Sequence, residues 1–202
     1  MDNNIKLSSK DQSYNNNLYI RESHNCYNYF LNLKSKKAYD NCKNFDYKKN
    51  KICRRAQPGY AANLHKMTKD DYKCDKIEKR TLLDNKLIFK TGEDNICPRE
   101  YYKGALVVAP GTDFHYYRLN DDGIWSHKPG GTKTKITDAS GNQIINPRIS
   151  NRKFSNRLNY KDFCGYYCIP RDNKKKTMKM FKDIKLEKNK KKNKTTKKYN
   201  NK

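Results

Sequence analysis

Residues 111–130 read GTDFHYYRLNDDGIWSHKPG and carry two of the chain's four histidines, His115 and His127, on one predicted β-hairpin. Asn120-Asp121-Asp122-Gly123 sets its geometry. Asn opens a type I turn well, Asp tolerates its centre, and Gly can take the left-handed position that follows. This predicts a three-residue loop with a bulge. Asn120 and Ile124 then flank the loop, His127 falls opposite Tyr117, and His115 shares the face of Tyr117 two residues earlier. The imidazoles become diagonal neighbours, with ring centres within about 8 Å. A two-residue loop at Asp122-Gly123 would instead place His127 opposite Arg118 and send the rings to opposite faces. Two histidines on one hairpin face are the base-side half of a cysteine-hydrolase site; the bland alternative is two ordinary residues of a half-buried sheet.

The rest of the chain supplies a modest core. Its 202 residues suit one domain, and apolar residues concentrate between about Cys26 and Pro170 although only 34% of the chain is hydrophobic. The expected organisation is an N-terminal arm over 1–22, one α+β domain over 23–171, and a disordered tail over 172–202. The first ~20 residues contain no apolar segment, so no secretory signal is read there, and no long apolar run predicts a membrane span.

The seven cysteines are Cys26, Cys42, Cys53, Cys74, Cys97, Cys164 and Cys168. An odd count without a recognisable signal favours reduced thiols in a cytosol-like compartment, such as a host cytoplasm or a virion. Cys164 and Cys168, with Cys97 or a histidine, offer a zinc set, but no second paired spacing accompanies them. Buried free thiols in the aromatic strand FCGYYCI are the expectation, and neither metal nor cofactor is assigned.

Net charge is +25, of which roughly +11 lies in the final 31 residues. That Lys/Asn-rich segment has too few apolar residues to fold by itself, and its default reading is a solvated arm. It would also contact nucleic acid or another polyanion non-specifically, through counterion release.

Along the chain, a helix is predicted over 25–38, capped by Ser23 or Asn25, with Cys26 in its first turn. A thiol there sees the helix dipole and backbone N–H groups that lower its pKa. Residues 82–89 fit helix or strand equally. Residues 105–109 form a short buried strand, the histidine hairpin follows, residues 135–145 read as another hairpin, and 163–169 as a last strand. The layout is α+β: helices first, then about five antiparallel strands.

A cysteine at a helix start, then a strand histidine, then a second polar residue on the next strand resembles the NlpC-type papain-like peptidases and amidases. The resemblance implies Cys26 as nucleophile, His115 as its base and His127 as the residue orienting that base. The chain departs from the family's Asp-Cys-Ser, reading Asn25-Cys26-Tyr27. The segments NCYNYF, RRAQPGYAA, CPREYYKGALVVAPGTDFHYYRLNDDGIWSHKPGG, TDASGNQIINPR and DFCGYYC are similar to a group of uncharacterised bacterial and giant-virus proteins, across residues 25–170.

The expected chemistry is attack of the Cys26 thiolate on an amide or ester carbonyl of a peptide-like substrate, with first-turn N–H groups holding the oxyanion. Asp113 is the alternative orienting residue, Tyr117 an alternative oxyanion donor, and Cys97 the alternative nucleophile. Trp125 and Tyr116 are assigned to the face opposite the histidines, Asp138 to turn chemistry, and His24 and His65 to the surface. A non-catalytic virion or binding module of the same fold, and a nucleic-acid-associated protein acting through its tail, are the competing functions.

Overall fold

Short helices come first, each opened by a polar cap. The computed structural model describes residues 7–8, 11–44 and 53–180. Helices α1 (Gln12–Asn15) and α2 (Leu18–Ser23) begin at Asp11 and Asn17, whose side chains accept first-turn N–H groups. Both lie in the segment expected to be an unstructured arm. The single helix expected over 25–38 is two helices: α3 (Cys26–Phe30), capped by Asn25, and α4 (Lys36–Lys43), capped by Ser35. Asn32 adopts a φ of +47°, a left-handed conformation that asparagine tolerates and that reverses the chain. Helix α5 (Cys74–Asp84) takes the first part of the ambiguous 82–89 stretch and strand β1 (Phe89–Thr91) takes its end.

The main sheet adds β2 (Tyr101–Ala109), β3 (Asp113–Leu119), β4 (Trp125–His127) and β7 (Asp162–Pro170), in the order β1-β7-β2-β3-β4, antiparallel throughout. A separate pair, β5 (Lys153–Ser155) and β6 (Leu158–Asn159), follows the hairpin. The mixed helical and antiparallel architecture is the α+β class read from the sequence.

The two faces of the sheet have different covers. On one, Phe30, Leu106, Tyr116, Tyr167 and Ile169 form a core beneath α3 and α5. Gly104 is required there, since a Cβ at that position would approach the Phe30 ring to 2.5 Å. On the other face Ala105, Val107, Tyr117, Trp125 and Tyr166 pack with Ile144 and Tyr160 from the long connection after β4. Trp125 is therefore not opposite the histidines. It lies two positions before His127, so the period-two alternation of a strand puts both on one face, while Tyr116 does lie on the other.

Six of the seven cysteines are paired, as Cys42–Cys53, Cys74–Cys164 and Cys97–Cys168, and Cys26 is the free one. This corrects the expectation of reduced thiols, since an odd count needs only one unpaired residue. It also removes Cys97 as an alternative nucleophile and Cys164 and Cys168 as free core thiols. A register shift explains one bridge: Leu106 pairs with Gly165 but Val107 with Phe163, leaving Cys164 as the extra residue of a bulge. The bulge inverts strand parity, so Cys164 joins Tyr167 and Ile169 on the helix face, where Cys74 begins α5.

The chain after Asp172 stays on the domain up to residue 180. Met180 is buried and bridges to Ala56, Met178 packs on the helix-face core, and Lys176 is buried. The remainder of the basic tail, 181–202, lies outside the described residues. Among the described residues no helix is long and apolar enough to cross a membrane.

Candidate functional site

The hairpin forms as its turn residues dictate. Gly123 N–H donates to Asn120 O and Asn120 N–H to Ile124 O, with Gly123 at a φ of +76°. The three-residue loop sets Tyr117 opposite His127 and Arg118 opposite Ser126. His115 and His127 share a face, with ring centroids 4.9 Å apart and His115 Nε2 2.7 Å from His127 Nδ1.

A backbone carbonyl fixes the protons of both rings. His127 Nε2 lies 3.0 Å from Thr137 O, a group that only accepts, so Nε2 carries the hydrogen. Burial keeps His127 neutral, its pKa pushed down to about 4, and its Nδ1 is then an acceptor. His115 Nε2 must donate to it, which leaves His115 Nδ1 with a lone pair. Burial and the neighbouring His127 also hold the His115 pKa well below the usual histidine range. The pair is a neutral relay with an acceptor at its far end.

Cys26 shares a cavity with His115 at the edge of the sheet. Strand β4 ends at His127, opposite Tyr117, so β3 has no partner on that side from Asp113 to Tyr116. Helix α3 starts there, and Cys26 Sγ lies 4.0 Å from Phe114 O. Cys26, His115, Asp113, Tyr160, Arg55 and Gln57 line one cavity of about 170 Å3. A side chain from the helix layer and one from the opposite face of the sheet thus line the same cavity at an open strand edge.

The thiol is not activated in the manner its position at a helix start implies. Burial pushes the Cys26 pKa up to about 12, with the Asp113 carboxylate adding to the rise and Lys128 opposing it. Desolvation of a thiolate here outweighs the first-turn N–H groups, correcting the expected low pKa. Lys128 is itself buried, and its Nζ donates to Arg21 O, His24 O and Gly130 O. It ties α2 and the start of α3 to the end of the hairpin, although burial lowers its pKa to about 7.

The other named residues take different places. Asp113 does not orient His115: its Oδ2 accepts from Tyr160 OH at 2.8 Å and its Oδ1 from Phe114 N–H at 2.9 Å. Tyr117 stacks on His127 with a buried hydroxyl that has no hydrogen-bond partner, and it is not among the residues lining the Cys26 cavity. Asp138 is a turn residue, accepting from the N–H groups of Ser140, Asn142 and Asn151. The hairpin expected over 135–145 reduces to a single bridge, Thr137 with Gln143. His24 is fully buried rather than on the surface, its Nε2 accepting from Ser35 N–H at the start of α4. His65 is exposed as expected, beside Asp71. Sequence reasoning missed Arg55, Gln57 and Tyr160; the turn-rich RRAQPGY stretch carried a weak signal for the first two, and Tyr160 carried none. Among the described residues Glu22, Cys42 and Cys53 bring three metal-binding atoms together, but the two sulfurs are bonded to each other.

Fold and site together define an α+β, disulfide-bonded protein whose one free cysteine lines a cavity with one histidine of a hydrogen-bonded pair. A 62-residue stretch, 31% of the chain, is 50% identical to insoluble matrix shell protein 1 of Ruditapes philippinarum, and the match spans 38% of that protein. No family model matches the chain, and no solved structure matches it.

Proposed function

We propose that the protein is a papain-like cysteine hydrolase or acyl transferase acting on an amide bond through Cys26, His115 and His127. The observation that carries this reading is the tautomer chain from Thr137 O through His127 to His115, which leaves a proton acceptor on a ring that lines the same cavity as the sole free thiol. In the resting state thiol and imidazole are both neutral. On attack, the Cys26 sulfur bonds to the carbonyl carbon and its proton passes to His115 Nδ1. The resulting imidazolium keeps donating from Nε2 to His127, which stabilises and orients it. Gln57 and the first-turn N–H groups of α3 are the donors at hand for the oxyanion. The proton on His115 then returns to the leaving group.

Incubation with p-nitrophenyl acetate tests this without knowledge of the natural substrate. The expected result is a single acetyl adduct on Cys26 by mass spectrometry with release of p-nitrophenolate, lost in His115→Ala and slowed in His127→Ala. An unmodified Cys26 in folded wild-type protein overturns the hydrolase.

The rival reading is a non-catalytic matrix or virion component. It is favoured by the similarity to a shell matrix protein and by the high pKa of the buried thiol. Under either reading, three disulfides fit a chain that folds in an oxidising setting better than one kept in a reducing cytosol. Polyanion contact through the lysine-rich tail is compatible with both and would weaken steeply with salt.

A further inference from the structure

Asp113 is an expensive neighbour for a nucleophilic cysteine. Its carboxyl is largely buried, lines the Cys26 cavity, and adds to the cost of forming the thiolate. A site built only for thiolate chemistry gains nothing from an anion there. The two hydrogen bonds it accepts, from Tyr160 OH and Phe114 N–H, position it while leaving its charge unmatched. No ion pair to Asp113 occurs among the described residues, and no cation is among the influences on its pKa. The cation of the cavity, Arg55, is engaged elsewhere: its Nε donates to Glu22 O at 2.7 Å, and the Glu22 carboxylate offsets part of its desolvation.

The geometry points to a binding role for that carboxylate: we infer that the cavity accepts substrates bearing a primary ammonium group close to the scissile carbonyl, and that Asp113, held by Tyr160, reads it. A substrate ammonium would neutralise Asp113 on entry and so remove one of the charges that opposes ionisation of Cys26. Substrate charge and nucleophile activation are then coupled: a cationic substrate eases the proton transfer to His115, and a neutral one does not. The cavity's modest size suits a short aminoalkyl group or a chain amino terminus rather than a folded partner. This inference rests on the cysteine-hydrolase reading for its consequence, though the binding step stands without the later chemistry.

The test uses three thiol reagents of different charge on the full chain: 2-aminoethyl, its neutral isostere propyl, and 2-sulfonatoethyl methanethiosulfonate. In each case the thiolate attacks the reagent sulfur, forms a mixed disulfide and expels methanesulfinate. Rates at Cys26, followed by mass spectrometry, are normalised to those of a small free thiol. The expected order is cationic over neutral by about tenfold, with the anionic reagent slowest. The protein's own net charge of +25 biases encounter the other way, so a cation preference reports the cavity and not the long-range field. Asp113→Asn, which keeps an acceptor for Tyr160, should bring cationic and neutral rates within about twofold; Asp113→Glu should retain the preference. Equal rates in wild type, or a preference for the anionic reagent that would assign the cavity to Arg55, overturns the inference and leaves the hydrolase standing. Failure of all three reagents to reach Cys26 in folded protein overturns both.

Discussion

The two faces of the sheet are built on different principles. Under the helices, large rings interlock and three of their hydroxyls are satisfied from within: Tyr27 OH donates to Asp84, Tyr102 OH to Phe30 O, and Tyr116 OH pairs with Thr81. On the other face the cover is an irregular chain pinned at single residues. Asp138 gathers three N–H groups, Asn146 bonds Glu93 and Tyr166, and Arg152 donates to four backbone carbonyls. The first face is a scaffold stabilised by area. The second is a lid stabilised by a few polar contacts, and the histidine relay runs beneath it to a carbonyl of the lid itself, Thr137 O. The relay lies where the cover can change without dismantling the core.

Substitutions at matched depth should separate the two faces. Phe30→Ala empties the helix-face core beside Tyr116 and Gly104 and should cost about 3–5 kcal/mol in urea unfolding. A smaller loss would show that the helix layer is not the principal source of stability.

Acid should act on the relay next. His127 is held neutral down to about 4, whereas an unfolded histidine titrates near ~6.5. Between those values the unfolded chain binds the extra proton, so stability falls as pH drops from about 6.5 to about 4, on the order of 3 kcal/mol for this residue. His24, also pushed down to about 4 by burial, adds a similar slope from the helix layer. His127→Gln should flatten the dependence of unfolding free energy on pH over that window; an unchanged slope means the imidazole is solvated and the relay does not form.

Asp138→Ala should have the smallest effect, about 1–2 kcal/mol, through three weakened backbone contacts at the lid. Its sharper consequence is kinetic. Hydrogen exchange should accelerate across 137–151 while amides of β2 and β7 keep their protection. Equal acceleration in both places would mean that lid and scaffold open as one unit.

What could be read in the sequence divides along the same line. The histidine hairpin was legible because a turn of four residues fixes register locally, and register fixes faces. Alternation was equally available for Trp125, and applying it from His127 rather than from Tyr116 would have placed that ring correctly. Asn32 gave no sign that it ends a helix, because asparagine in a left-handed conformation is a tolerated option rather than a requirement. Disulfide partners were illegible in principle: Cys74 and Cys164 are 90 residues apart, and a bulge that no local pattern announces brings them together. The state of Cys26 also lay beyond reach, since helix-start position predicts a lowered pKa and only burial, with the Asp113 carboxylate nearby, reverses the sign.

The three disulfides also determine how the molecule bears tension. A pull along the chain from either end meets Cys74 and Cys168, and between them two parallel covalent routes exist. One crosses from Cys74 to Cys164 and continues to Cys168; the other follows the backbone to Cys97 and crosses directly to Cys168. Residues 98–163 lie on neither route. The hairpin, its histidines, Asp113, Tyr160 and the whole lid are mechanically shunted, so a stretched chain would spend its outer segments first. Cys26 and Arg55 stand outside the shunt, on the loaded side. Force would therefore act on the segment carrying the thiol while the histidine hairpin stays unloaded, parting the two sides of the cavity.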